Sequence, residues 1–138
     1  MIHDNLVFFN VAEMMSVDGV AGLRLQRMPE TVRSELDEGT AGVMLSPANS
    51  EIRFRIEDGK ESATIRLSAE LPTTAYVYHG PFQGPELTLD REPRDYIIKP
   101  HARLGQLSQD ERAQFAYHPA VVRICFGGAY PEPVFWFR

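Results

Sequence analysis

The sequence contains one cysteine, Cys125, among 138 residues, so the chain cannot form an internal disulfide. Small secreted domains often depend on several disulfides, because a short chain buries too little surface to be stable without them. The lack of a second cysteine therefore argues against that class of module. Cys125 lies in the apolar run VVRICFGG, residues 121–128, which predicts a buried and unreactive thiol.

Long apolar segments and an excess of positive charge are also absent. No stretch of 18 apolar residues occurs, so no membrane-spanning helix is expected, and no secretory signal pattern opens the sequence. The formal net charge is −5, so the chain has no excess of positive charge that would attract a polyanion such as nucleic acid. We therefore expect a soluble, cytoplasmic protein without a nucleic-acid or membrane partner.

The usual sequence signatures of catalysis and cofactor binding are missing. There is no G-x-S-x-G nucleophile motif, no P-loop and no G-x-G-x-x-G fingerprint. The four histidines do not occur at paired ligand spacing; they are His3, His79, His101 and His118. We therefore predict no metal, no cofactor and no catalytic residue in this chain, although a Ser–His–Asp set could still assemble from distant positions.

Glycine and proline are frequent instead, with ten of each scattered along the chain. Glycine and proline at this frequency favour many short strands over long helices. The clearest strand signal lies in residues 51–70, where apolar and charged residues alternate from Ile52 to Ile56. The alternation resumes after Asp58-Gly59, a dipeptide typical of tight turns, and predicts an antiparallel hairpin with one face on a core.

Further strands and two short helices are predicted. The other strand candidates are residues 6–11, 22–25, 73–80, 96–99, 121–126 and 134–137. One helix covers 29–39, with Pro29 at its first position and Gly39 as its stop, and the other covers 107–116, with Ser108 as its cap. The predicted fold is mostly β: a single antiparallel β-sandwich or jelly roll over residues 1–138, with an open barrel as the alternative.

The segment YVYHGPFQG, residues 76–84, is the candidate binding site. It places aromatic, imidazole and amide groups around the end of a strand, and such groups can stack on sugar rings and hydrogen-bond to hydroxyls. The candidate binding residues are Tyr76, Tyr78, His79, Phe82 and Gln83. The alternative is a structural corner, in which Tyr76 and Phe82 pack and Pro81 sets the turn.

Three arginines, Arg53, Arg55 and Arg66, are predicted to face outward from the hairpin. They could clamp a carboxylate or a phosphate. Pairing with nearby glutamates such as Glu51 on a solvated face is the simpler interpretation.

Five blocks of the sequence resemble the N-terminal region of bacterial SGNH (GDSL-type) hydrolases. They are FNVAEM (9–14), GLRLQRMPETVRSEL (22–36), LSPANSEIRFRI (45–56), ATIRLSA (63–69) and YHGPFQ (78–83). In that family a β-sandwich of about this size, similar in shape to carbohydrate-binding modules, precedes the α/β esterase domain. The family's Gly-Asp-Ser nucleophile block and the blocks of its Asp and His partners do not occur here, so no catalytic residue is carried over.

The resemblance implies a non-catalytic N-terminal accessory domain of an SGNH-type esterase or acyltransferase. Its partner would be the C-terminal catalytic domain of the same polypeptide, and its candidate ligand a carbohydrate or an acyl ester. The sequence ends on PEPVFWFR (131–138), which predicts a docked final strand whose exposed side is a domain interface formed by Phe135, Trp136 and Phe137. A stand-alone carbohydrate-binding module is the alternative, and a free-standing small enzyme is the third hypothesis.

Overall fold

In the part of the chain that the computed structural model describes, residues 1–114, 116–127 and 133–138, eleven strands form two antiparallel sheets. The first sheet contains β1 (Ile2–His3), β2 (Leu6–Phe9), β5 (Glu51–Arg55), β7 (Thr73–His79), β8 (Phe82–Leu89) and β10 (Val121–Phe126). Its spatial order is β1-β2-β5-β10-β7-β8. We call it the six-stranded sheet.

The second sheet has five strands in the described part of the chain. They are β3 (Glu13–Val17), β4 (Val20–Gln26), β6 (Ala63–Ala69), β9 (Arg94–Ile98) and β11 (Val134–Phe137). Their spatial order is β3-β4-β11-β6-β9, which places the last strand of the chain at the centre of the sheet. The predicted docking of the final strand is therefore confirmed, while residues 131 and 132 of the segment PEPVFWFR lie outside the described residues.

The core lies between the two sheets and receives alternate residues from their strands. On the six-stranded sheet these include Phe8, Ile52, Ala75, Val77, Val122 and Ile124, and on the five-stranded sheet Leu25, Ile65, Leu67, Ile98, Val134 and Trp136. The rings of Phe8 and Trp136 meet edge to face across the core, with their centroids 5.2 Å apart. Period-two burial of this kind is what an antiparallel sandwich requires.

Consecutive strands mostly change sheets. The pairs β1–β2, β3–β4 and β7–β8 are hairpins, and every other pair of consecutive described strands is divided between the two sheets. Repeated crossing of this kind gives the jelly-roll-like form of a sandwich. The predicted fold class, a mostly β antiparallel sandwich with short helices, is confirmed.

The predicted hairpin of residues 51–70 is wrong, although both of its strands exist. β5 pairs with β2 and β10 in the six-stranded sheet, whereas β6 pairs with β11 and β9 in the five-stranded sheet. The residues from Ile56 to Ser62 carry the chain across the sandwich, and Gly59 has a positive φ of 81° within that crossing. Alternation fixes which face of a strand is buried, but it does not choose the neighbouring strand.

The other predicted strand segments each contain a strand, and three strands were not predicted. The missed ones are β1, β3 and β8. β8 contains Gly84 and Pro85, which lower strand propensity in the sequence. A proline is tolerated there because β8 is the edge strand of its sheet.

Three short α-helices and one 3₁₀ helix lie in the described ranges. They are α1 (Glu30–Arg33), α2 (Glu38–Val43), α3 (Gln109–Ala113) and the 3₁₀ helix Ala102–Gln106. None of them has the length and apolar character that crossing a bilayer would demand.

The helix predicted over 29–39 is corrected to two helices. Asp37 starts the second one, because its carboxylate accepts a hydrogen bond from the Thr40 backbone N–H at 3.0 Å, and Gly39 therefore lies inside α2 instead of ending α1. The Ser108 cap of the other helix is confirmed, with Glu111 closing a capping box. Phe115, within the predicted 107–116 helix, lies outside the described residues.

Candidate functional site

The five predicted binding residues lie on two different sides of the six-stranded sheet. Tyr78 pairs with Gln83 across the β7–β8 hairpin, and Tyr76 lies two residues before Tyr78, so these three share the outer face. His79 pairs with Phe82, and both lie on the opposite face, toward the end of the core. The segment that the sequence suggested as one site is therefore divided by the pleat of the strands.

The turn that joins β7 and β8 is built on Gly80 and Pro81. Gly80 has a φ of 58°, and its N–H donates to the Val121 carbonyl at 2.7 Å. A two-residue hairpin loop with positive φ at its first position is a favoured connection, because its twist matches that of the strands. The predicted role of Pro81 in the turn agrees with its position directly after Gly80.

On the outer face of the six-stranded sheet, one carboxylate organises two arginines. Glu51 accepts hydrogen bonds from Arg53 Nε at 2.6 Å and from Arg123, whose Nη2 and Nε lie 2.6 and 3.1 Å from its two oxygens. The Glu51 and Arg123 side chains are only 12% and 14% exposed. Burial by itself would raise the pKa of Glu51, but the hydrogen bonds from Arg123 and Arg53 outweigh it, so the pKa lies below its usual value.

Aromatic rings cover both guanidinium groups. Arg53 lies 4.1 Å from the centroid of the Phe9 ring, and Arg123 lies 3.9 Å from that of Tyr117 and 5.5 Å from that of Tyr78. We call Glu51, Arg53, Arg123, Phe9, Tyr78 and Tyr117 the cation–aromatic cluster. Flat rings beside hydrogen-bonding groups can contact either a sugar ring or an apolar protein surface.

An exposed apolar area continues this cluster toward the edge of the sheet. Ile2 pairs with Val7, and Phe9 follows on the same face of β2. Their side chains are 76%, 40% and 48% exposed, respectively. We call these three residues the apolar edge patch, and contiguous exposed apolar residues of this kind mark contact surfaces more often than isolated ones do.

His79 and Phe82 form a second group with His101, which caps the 3₁₀ helix. The ring centroids of His79 and His101 are 5.6 Å apart, and Phe82 stacks on His101 at 5.3 Å. His79 is only 4% exposed. Its pKa is lowered by burial, and to a smaller extent by His101, so its imidazole is neutral at neutral pH.

The three predicted interface residues differ in how much of their surface is exposed. Trp136 belongs to the core and is 3% exposed, so it offers almost no area to a partner. Phe135 lies on the other face of β11, opposite Arg24, and is also buried. Phe137 is partly exposed beside Gly22 and is the one of the three with surface to offer.

The histidines and the other potential metal ligands are dispersed in the described part of the chain. No group of three or more His, Cys, Asp or Glu side chains could hold a metal ion there. Three of the histidines bond elsewhere: His3 to Arg138, His101 to the Arg103 N–H, and His118 to the Ala120 N–H. In the described part of the chain, none of these three hydrogen bonds joins a histidine to a serine, threonine or tyrosine hydroxyl.

The sequence did not identify most of the cation–aromatic cluster. Arg123 and Glu51 are 72 residues apart, and only the pairing of β10 with β5 brings them together. A signal was nevertheless present, because Arg123 interrupts the apolar run VVRIC at an outward position. Arg53 was predicted to face outward and to pair with Glu51, as it does.

The described strands form a β-sandwich whose outer sheet face carries aromatic and charged side chains. Comparisons with known proteins show a likeness in fold alone. No family model matches the chain, and no curated protein matches it. A solved salicylyl-acyltransferase from a tetracycline biosynthetic pathway is similar in structure, with a TM-score of 0.65 and 12% identity. The overlay covers 98% of this chain but 36% of the acyltransferase chain.

A solved CBM4 structure is also similar. The overlay has a TM-score of 0.49 and 13% identity and covers 98% of this chain and 92% of that one.

Proposed function

We propose that this chain is a non-catalytic accessory domain of an SGNH-type esterase or acyltransferase, which braces the catalytic domain and forms one wall of its substrate cleft. The single observation that carries the proposal is the length relation in the overlay. Nearly the whole chain matches about a third of a salicylyl-acyltransferase, so in that protein this fold is one part of a longer polypeptide. The resemblance of the five sequence blocks to SGNH N-terminal regions supports the same assignment.

The apolar edge patch is the surface on which we place the catalytic domain. Its three side chains belong to the two strands at one edge of the six-stranded sheet, where no further strand of the described chain covers them. The cation–aromatic cluster adjoins the patch through Phe9. A domain seated on the patch would therefore have Arg53, Tyr117 and Arg123 at its margin, where a substrate cleft between domains would open.

The test begins with the reading frame that encodes the chain, in which we expect a Gly-Asp-Ser segment after this domain. The encoded catalytic domain, produced separately, should bind the 138-residue chain saturably in a calorimetric titration. Val7→Asp and Phe9→Asp should weaken that binding. Ile97→Asp is the matched control, because Ile97 is 65% exposed but lies on β9 of the other sheet.

Two results would overturn the accessory role. One is a reading frame without any SGNH segment. The other is turnover of p-nitrophenyl acetate by the chain alone that a single serine or histidine substitution abolishes, since the chain would then carry its own catalytic group.

A stand-alone carbohydrate-binding module is the second candidate, and the aromatic rings of the outer sheet face favour it. Tyr76, Tyr78 and Gln83 were predicted to bind a sugar, and they share that face with Tyr117 and Phe9. Titration against a glycan panel should then show saturable binding that Tyr78→Ala and Tyr117→Ala abolish and Ile97→Ala leaves intact. A flat response across the panel removes this candidate.

A further inference from the structure

A cavity of about 220 Å³ lies at one end of the sandwich and shares no lining residue with the cation–aromatic cluster. Its walls come from the crossing between β5 and β6, the end of β7, the 3₁₀ and α3 segment, and the approach to β10. A cavity of about 150 Å³ is known to hold a benzene molecule, so this one has room for a small ring-sized ligand.

One buried polar atom of a residue that lines this cavity has no hydrogen-bond partner among the described residues. The Nε of Arg112 is buried and unpaired, although Nη2 of the same side chain donates to the Leu104 carbonyl at 2.6 Å. His79 lines the same cavity and is 4% exposed. Buried polar groups are nearly always paired, so an unpaired guanidinium nitrogen beside a cavity marks a place where a ligand with an acceptor group would fit.

The charge around the cavity has an excess of one positive group. Arg55, Lys60 and Arg112 contribute cations, and Glu57 and Asp58 contribute carboxylates. None of these five forms an ion pair in the described part of the chain. The guanidinium of Arg112 therefore has a carbonyl acceptor, the Leu104 oxygen, but no carboxylate partner to balance its charge in the described part of the chain.

The remaining walls are largely apolar and include Ile56, Leu104 and Val122. We propose that this cavity binds a small monocarboxylate, whose carboxylate accepts a hydrogen bond from the guanidinium of Arg112 and whose apolar body rests on these three side chains beside His79. A charge-assisted hydrogen bond between guanidinium and carboxylate is among the stronger polar contacts in proteins. The apolar walls favour a carboxylate with a compact hydrocarbon body over a fully hydrated phosphate.

His79 is suited to line such a site as a neutral group. Its lowered pKa, set by burial and by His101, keeps it from carrying a second buried cation at neutral pH. His79 and Pro100 also line a neighbouring cavity of about 420 Å³, next to His101. The imidazole thus separates the two cavities, and it can donate or accept one hydrogen bond at the ligand.

Benzoate is the probe, and nuclear magnetic resonance of the ¹⁵N-labelled 138-residue chain is the measurement. We expect saturable shifts of the Arg112 Nε–H and His79 ring signals in the millimolar range of benzoate. Arg112→Gln should weaken binding about tenfold or more, the loss expected for one charge-assisted hydrogen bond. Arg103→Gln is the matched control, because Arg103 lies on the adjacent 3₁₀ helix but does not line the cavity.

Each outcome decides the proposal. Benzoate binding that Arg112→Gln weakens and Arg103→Gln does not supports it. Equal binding of the neutral analogue benzamide, tighter binding of inorganic phosphate, or no saturable shift overturns it. If Arg112→Gln fails to fold, the Arg112 Nε–H signal of the unmodified chain still decides, because an unchanged signal at saturating benzoate is incompatible with the proposed contact.

Discussion

The ring of Phe137 occupies the space that a side chain at Gly22 would need. A Cβ built on Gly22 would lie 2.8 Å from both Cε2 and Cζ of Phe137, closer than real carbon atoms approach. The two residues belong to β4 and β11, which pair with each other in the five-stranded sheet. The absence of a side chain at position 22 therefore sets where the last aromatic residue of the chain lies.

Gly22→Ala should consequently destabilise the protein. The ring of Phe137 must move outward, and we expect a loss of about 1–3 kcal/mol in the free energy of unfolding, as for other overpacked sites. In a Phe137→Ala background the same substitution should cost much less, because the obstructing ring is gone. Urea unfolding of the four proteins gives the interaction energy, and equal costs in both backgrounds would contradict the contact.

Gly80 and Gly59 offer a matched pair for a second prediction. Both have positive φ, 58° and 81°, so alanine is conformationally strained at either position. A Cβ at Gly80 would also lie 2.7 Å from Pro119 Cα and 2.8 Å from the Tyr117 carbonyl oxygen, whereas nothing lies within 4 Å at Gly59.

Gly80→Ala should therefore cost clearly more stability than Gly59→Ala, by about 1 kcal/mol or more, because backbone atoms cannot move aside as a side chain can. Thermal unfolding of the two variants measures the difference. If the two lose the same stability, the close approach between the β7–β8 turn and residues 117–119 is not present in solution.

The strands show which parts of the fold could be predicted from the sequence. Period-two alternation predicted the buried faces of β5, β6 and β7, because side-chain direction in a strand is a local property. It did not predict that β5 and β6 belong to different sheets, since the choice of neighbouring strand depends on contacts far apart in sequence.

The candidate site shows the same limit more strongly. Tyr76, Tyr78 and Gln83 could be selected from their residue types, and the structure does bring them to one face. The carboxylate that orders this face, Glu51, and the arginine that stacks on Tyr117, Arg123, meet only through strand pairing. Arg112 and His79 likewise meet at one cavity only after the chain has crossed between the sheets several times.

Glu51→Gln tests the cation–aromatic cluster. Glutamine keeps only one acceptor oxygen and no charge, which leaves the partly buried Arg53 and Arg123 without their counter-ion, so we expect a loss of about 1–3 kcal/mol in unfolding free energy. Asp95→Asn is the control, because the Arg66–Asp95 pair is about half exposed on both sides and such pairs contribute little. Comparable losses for the two variants in urea unfolding would show that Glu51 does not organise the cluster.

Cys125 is half-buried on the outer face of β10, not fully buried as the sequence predicted, and its thiol should still be slow to react in the folded protein. Burial raises its pKa to about 11, and the negative charge of Glu51 adds to the shift. Because only the thiolate is nucleophilic, alkylation by iodoacetamide at pH 8 should be far slower in the native state than in denaturant, where the pKa returns to its ordinary range. Similar rates in both states, followed by mass spectrometry, would show that its surroundings in β10 do not protect the half-buried thiol.

The stability of the protein should depend on pH through Glu30, and its partner Arg33 determines the direction of that dependence. The hydrogen bonds from Arg33, at 2.7 Å from Nε and 2.5 Å from Nη2, are the main reason that the pKa of Glu30 falls from 4.5 to about 2. A carboxyl group with a lowered pKa stabilises the folded state above its unfolded pKa and loses that contribution as the pH falls through its folded pKa.

The stabilisation should therefore be complete above about pH 5 and lost between about pH 4.5 and pH 2. Glu30→Gln should be less stable than the unmodified chain at pH 7, by at most about 1 kcal/mol because the pair is partly solvated. The difference should shrink toward zero near pH 2. Glu35→Gln, at an exposed position two residues beyond Arg33, should show no such trend in the same urea titrations, and a pH-independent difference for Glu30→Gln would exclude the ion pair as its cause.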